Sequence, residues 1–301
     1  MTRLATALLL IPIVLALILR APAPLLAAAL AVIGLLGVRE LLTSAQHYGI
    51  EPMRWPAYAT VLVIFGLLGT QLTAQSQTLD IAETLLTLLG ISTIAVFVFL
   101  AVGMRRRQLA TVFPAAATSL AAILYVAVPL ALLLVIRELW AGAFLLLYLL
   151  LVVWTGDTCA YYAGRAFGRR KLAPRISPGK TWEGTVASLA GAVVVGGVLL
   201  THAPQISRWL YAAGLVARRH AYLAQHPPSL ADAVILSAIL NVAAQLGDLI
   251  ESLIKRGAGI KDSGALLPGH GGILDRIDAL LLAAPVLWYY AAMRALSRGH
   301  I

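Results

Sequence analysis

The feature that most restricts this chain is a ninefold recurrence of apolar runs with very little charge inside them. The runs cover residues 4–19, 25–38, 57–72, 85–102, 115–136, 142–160, 186–201, 231–254 and 277–293. A helix needs about 20 residues to cross a hydrocarbon core about 30 Å thick, and helical ends beyond each run supply the remainder. With 60% hydrophobic residues and a mean hydropathy of +0.88, the chain lacks the polar side chains to cover a water-exposed surface. Spanning segments must satisfy their own backbone hydrogen bonds, which helices do. The expected fold is all-α: a polytopic integral membrane protein of about nine transmembrane helices. The first run follows Arg3 and has the length of a secretory signal peptide. However, Arg20-Ala-Pro-Ala-Pro leads directly into the second run, so the first is expected to be a retained span.

Basic residues set the orientation of such a chain. Arg3, Arg39, Arg54, Arg105 to Arg107, the basic residues from Arg165 to Lys180 and those from Lys255 to Arg276 fall on one side of a nine-span topology. The other side holds fewer: Arg20, Arg137, Arg208, Arg218, Arg219, Arg294 and Arg298. The richer side, with the N-terminus, is expected to face the cytoplasm from the cell (inner) membrane. The net charge of +10 is therefore partitioned by membrane side. No basic tail or aromatic-basic platform points to nucleic acid, and the basic side suits anionic lipid headgroups. A lone Cys159 excludes an intramolecular disulfide and gives no support to a cysteine metal site.

Two regions of unequal chemistry follow. Residues 1–140 read as transmembrane helices serving packing, with Gly34, Gly37, Gly66 and Gly69 permitting close helix approach or self-association, which leaves a homodimer open. Arg39-Glu40 and Arg137-Glu138 read as interfacial residues at run ends, and Arg105 to Arg107 as a topology anchor. Residues 141–301 carry the candidate chemistry. Charged residues make up only 12% of the chain, yet they crowd between Asp248 and Asp278.

Within the run to Ile254, Asn241, Gln245, Asp248, Ser252 and Lys255 recur at intervals of four and three, which places them on one helical face. A carboxylate in hydrocarbon costs at least about 2.5–3.5 kcal/mol, so Asp248 must face protein, water or a cation. Asp275 and Asp278 share a face at the start of the last run, where like charges repel unless neutralised. Three carboxylates from two helices, with Lys255, Arg256, Lys261 and Arg276 close by, suit Mg²⁺ shared with a polyphosphate. Ser252 and the backbone of Gly271 and Gly272 are further phosphate contacts, and Asp262 and His270 orienting residues.

A second cluster begins at the end of the sixth run. Trp154, Asp157 and Tyr161 share a face, with Arg165 one turn on; Asp157 reads as an auxiliary cation ligand or, alternatively, as the partner of Arg165. A basic loop follows, in which Pro178 and Gly179 are expected to set a turn, Thr181 or Ser177 to cap the next helix, and Ser177 and Lys180 to contact phosphate. Gly179-Lys180-Thr181 is not a P-loop, because Pro174 stands where the first glycine is needed and no strand is expected before it. The 203–228 segment, with Trp209, Tyr211, His220 and His226, reads as an interfacial amphipathic stretch.

Ser252-x-Ile-Lys255-Arg256-x4-Lys261-Asp262-x-Gly264-x2-Leu267-Pro268-x-His270-Gly271-Gly272-Ile273-x-Asp275-Arg276-Ile277-Asp278 resembles the signature of the phosphatidate cytidylyltransferase family, without departure. Asp157 to Tyr161, Gly164-Arg165, Gly168, Ser177-Pro178 and Lys180 to Gly184 are similar to that family's second block, departing at Cys159 and at Gly179, a position often basic. The likeness runs from about residue 150 to 293; earlier residues match only in hydropathy. It implies transfer of CMP from CTP to phosphatidic acid, giving CDP-diacylglycerol and pyrophosphate for phospholipid synthesis, with Mg²⁺ at Asp248, Asp275 and Asp278. Whether a second cation such as K⁺ takes part is left open. The alternatives are a CTP-dependent transferase acting on an isoprenoid or ether-lipid phosphate, or an ion-coupled transporter. The transporter predicts acids at span centres and repeated halves, neither of which the sequence has.

Overall fold

The structure is a computed structural model that describes residues 2–74, 81–139, 141–216, 228–266 and 271–296. Among the described residues, nine helical passages correspond one for one to the nine apolar runs. They are α1 (Thr2–Leu19), α2 (Ala23–Gln46), α3 (Arg54–Ala74), α4 (Ile81–Gly103), a broken passage Leu109–Glu138, α7 (Gly142–Phe167), α8 (Trp182–Thr201), α10 (Leu230–Gly257) and α11 (Leu274–Leu296). Eight are long and apolar enough to cross a membrane among the described residues; in α1 the stretch Leu10–Leu19 is apolar but shorter. This is an all-α polytopic membrane protein.

The broken passage consists of a 3₁₀ turn (Leu109–Thr111), α5 (Val112–Ala122), a single π turn (Ile123–Ala127) and α6 (Val128–Glu138). Its break has a local cause. Pro129 has no N–H to donate to the carbonyl of Tyr125 four residues back, and its ring crowds that carbonyl, so the turn before it widens. Gly37 of α2 admits the π turn: a Cβ there would press on Val126, with Ile277 of α11 beside it.

α7, α8, α10 and α11 form one group, against which α6 of the first half packs through α11 and α7, and α2 through α11. Gly34 packs against Phe65 and Val61, Gly69 near Ala27, and Gly66 faces open space, so three of the four glycines serve contacts within the chain. Arg137 and Glu138 are buried against the rest of the chain rather than exposed at the run end. Both side chains are about 5% exposed, and the Arg137 guanidinium donates to Ile18 O and Leu19 O, closing the C-terminal end of α1 whose last carbonyls lack helical partners.

The basic loop is an antiparallel hairpin of β1 (Lys171–Ala173) and β2 (Ser177–Thr181). The turn falls at residues 174–176, so Pro178 and Gly179 lie in a strand, contrary to expectation. Thr181 caps α8 as expected, its hydroxyl accepting from Gly184 N at 3.2 Å. α9 (Ala203–Ala212) is a short amphipathic helix with Trp209 and Tyr211 exposed; His220 and His226 lie outside the described residues.

Candidate active site

The polar face of α10 forms as the spacing predicts. Asn241 donates to Ser188 Oγ of α8 at 2.9 Å, Gln245 donates to Asn241 Oδ1 at 2.6 Å, and Ser252 donates to Asp248 Oδ1 at 3.3 Å. One turn deeper, Tyr148 of α7 and Ser237 share a hydrogen bond of 2.8 Å. Lys180, at the end of the hairpin, sits over this face with Nζ 2.8 Å from Asp248 Oδ2 and 3.5 Å from Gln245 O.

Asp248 and Asp278 come together because α10 and α11 cross at Gly247. A Cβ at that position would collide with the carbonyl of Asp278, so the crossing sets the two acids on adjoining turns. Asp157 of α7 is near enough for its charge to act on both, and on Lys180. Asp157 has no ion pair with Arg165 among the described residues; Arg165 instead donates to the Tyr161 hydroxyl at 3.3 Å. Asp278 Oδ1 accepts only from its own helix, at Ala279 N (2.8 Å), among the described residues.

Asp275 departs from the expected metal set. Its Oδ1 receives Lys255 Nζ at 2.6 Å and its Oδ2 receives Gly272 N at 2.7 Å and Ser263 N at 3.0 Å. The carboxylate is thus filled by donors, and it fastens the loop before α11 to the end of α10. Among the described residues no three His, Cys, Asp or Glu side chains converge on one metal position. Of the three expected carboxylates, Asp275 is engaged by donors, while Asp248 and Asp278 act on each other with Asp157 alongside. A pair still fits Mg²⁺, which keeps several waters and commonly takes one or two carboxylates plus substrate phosphates. Lys180 also stands as a positive group on Asp248, which is where a cation would relieve the acids.

Lys255 is clamped between Asp275 and Glu251, a buried acid 1% exposed that the spacing argument passed over. Gly271 adopts φ +79°, a conformation open to glycine, and a Cβ there would strike Asp275. Gly272 N–H is spent on Asp275 and is not free for phosphate. Arg256 donates to Ile176 O and Ile260 O, both at 3.3 Å, so it joins α10 to the hairpin turn with its side chain still exposed. Lys261, Asp262 and Arg276 are exposed around the same loop, and Ser177 is half-buried in β2. His270 lies outside the described residues.

Glu40 is the main residue that sequence reasoning misread. It is more than a run-end acid: its Oε2 receives Ser263 Oγ at 2.9 Å and Leu274 N at 2.8 Å, and its Oε1 receives Ile273 N at 3.0 Å. It caps α11 from 233 residues away. A signal was present, because Ile273 cannot cap a helix with its side chain and the first N–H groups of α11 needed an acceptor from elsewhere. Tyr48 adds a second tie from the first half, donating to Ile254 O at 2.7 Å near the end of α10. Glu40→Ala is expected to lower stability by about 1–3 kcal/mol by orphaning these donors. Thermal unfolding in detergent reads this directly, and an unchanged midpoint would mean that the cap contributes nothing.

Residues 1–294 match the model of the Cytidylyltransferase family. The chain belongs to that family. Among curated proteins, this cytidylyltransferase-family chain is 43% identical over 149 residues to a phosphatidate cytidylyltransferase of Haemophilus influenzae, covering 50% of this chain and 46% of that protein. It is 43% identical over 150 residues to that of Brucella suis (50% and 47%) and 39% identical over 152 residues to that of Bacillus subtilis (50% and 49%). The chain spans about half the length of the curated relatives it matches.

Proposed function

We propose that this protein transfers CMP from CTP to the phosphate of phosphatidic acid, releasing pyrophosphate and forming CDP-diacylglycerol for phospholipid synthesis. The observation that carries the reading is the ion pair of Lys180 with Asp248, with the charges of Asp157 and Asp278 acting on the same place, where the C-terminal parts of α7 and α10 pack near the first turns of α11. These acids lie on helices long and apolar enough to cross a membrane, in a chain whose family is cytidylyltransferase. Relatives named phosphatidate cytidylyltransferase support the acceptor.

The reaction joins a phosphate oxygen of the lipid to the α-phosphorus of CTP and breaks the bond from that phosphorus to the β-phosphate bridging oxygen. A phosphate monoester is largely ionised near pH 7, with a second pKa of about 6, so no strong general base is required. The protein's task is to align the two phosphates and to offset charge on the leaving pyrophosphate. Asp248 and Asp278 would hold Mg²⁺, which when bound supplies neutralisation of the triphosphate. Lys180, carried on the hairpin, is placed to exchange Asp248 for a phosphate oxygen when nucleotide enters. Lys261 and Arg276 are exposed around the loop and suit further phosphate contacts. Asp275, Glu251 and Glu40 hold the loop and Lys255 in position. The excess of basic residues on the side of the site supports a cytoplasmic orientation, where CTP is found.

The test is purified protein with labelled CTP, Mg²⁺ and a panel of phosphatidic acid, an ether-linked analogue and a polyprenyl phosphate. Labelled CDP-diacylglycerol with equimolar pyrophosphate is the expected product. Transfer to polyprenyl phosphate alone would replace the acceptor, and no transfer to any of them would remove the reading.

A further inference from the structure

The first half of the chain delivers one more group to the acids. Tyr125 sits in the π turn Ile123–Ala127, and its hydroxyl oxygen is buried without a hydrogen-bond partner among the described residues. Single π turns in helices occur often at functional sites, and buried polar atoms left unpaired are rare enough to need a cause. The hydroxyl is close enough to Glu251, Asp278 and Asp248 for all three charges to act on it. Its neighbour Val126 lies over Gly37 beside Ile277, one residue before Asp278. Glu251 Oε1 is likewise buried without a hydrogen-bond partner among the described residues.

A buried O–H facing acids that also have to accept a cation and a triphosphate is suited to donate to an anionic ligand. An aliphatic residue would pack as well here and leave no orphan, whereas a hydroxyl gains its bond only when the ligand is in place. Resting on the function proposed above, we propose that Tyr125 is a substrate-binding residue whose hydroxyl donates a hydrogen bond to a phosphate oxygen of the nucleotide held over Asp248 and Asp278. Pro129 fixes its position, since the widened turn it enforces is the one that carries Tyr125.

Tyr125→Phe removes one oxygen and retains the ring, so it separates this role from packing. In purified full-length protein, kcat/KM for CTP is expected to fall about tenfold or more, as for loss of a hydrogen bond to a charged partner. The rise in thermal midpoint that CTP with Mg²⁺ gives the wild type is expected to shrink, with the ligand-free midpoint unchanged. Wild-type kcat/KM in the variant, or full CTP protection alongside a lowered ligand-free midpoint, would overturn the proposal. The wild type measured in parallel keeps the two readings apart: a wild type that neither binds nor turns over CTP would sink the proposed function, whereas an active wild type matched by Tyr125→Phe would sink only the role of Tyr125.

Discussion

Asp278→Asn is expected to reduce CTP turnover about a hundredfold or more while leaving the thermal midpoint at or above the wild-type value. The two effects have opposite signs because Asp278 has no ion pair among the described residues and the charge of Asp248 acts on it more strongly than that of Lys255, with Asp157 adding to the repulsion. Such an acid is an electrostatic load on the ligand-free fold and becomes favourable only when a cation and polyphosphate arrive. The asparagine retains shape and the hydrogen bond to Ala279 N, and it removes the repulsion. Turnover with labelled CTP and thermal unfolding of the same preparation give both readouts. An active variant would take Asp278 out of the site, and an inactive but strongly destabilised one would make its role structural.

Lys255→Met should produce the largest loss of stability, about 3–5 kcal/mol, because it leaves two buried acids without their cation. The Glu251 and Asp275 side chains are 1% and 6% exposed, and the Lys255 ammonium lies between them. Methionine fills most of the volume, so the loss reports charge more than packing. Adding Glu251→Gln to Lys255→Met is expected to restore part of the stability and none of the activity, since Asp275 would still lack the lysine that helps it hold the loop before α11. A single variant with a wild-type midpoint in detergent would show that the triad contributes nothing to the fold.

The sequence carried the parts of this site that follow from periodicity. Regular spacing of Asn241, Gln245, Asp248, Ser252 and Lys255 was enough to place them on one face, because a helix repeats without regard to what surrounds it. The cap at Thr181 was legible for the same reason, being local. The partners of Asp275 were not legible, because its spacing from Asp278 says that both start one helix, and cannot say that the loop folds back to bring N–H donors to one carboxylate. Glu40 and Tyr125 were invisible as site residues because the groups they face lie more than 100 positions away, and a lone acid at the end of an apolar run or a lone tyrosine inside one resembles many others. Only the missing cap before α11 and Pro129 after Tyr125 gave indirect notice of them.

The ladder along α10 bears on how Asp248 is aimed. Side-chain hydrogen bonds inside membranes contribute only about 0.6 kcal/mol each on average. Yet those at Ser237, Asn241 and, through Lys180, Asp248 all reach neighbouring elements from one flank of the same helix. Turning α10 about its axis by a single residue would break every one of them together. The ladder therefore acts as a rotational lock, indexing the acid to its neighbours across three turns without demanding that any one rung be strong.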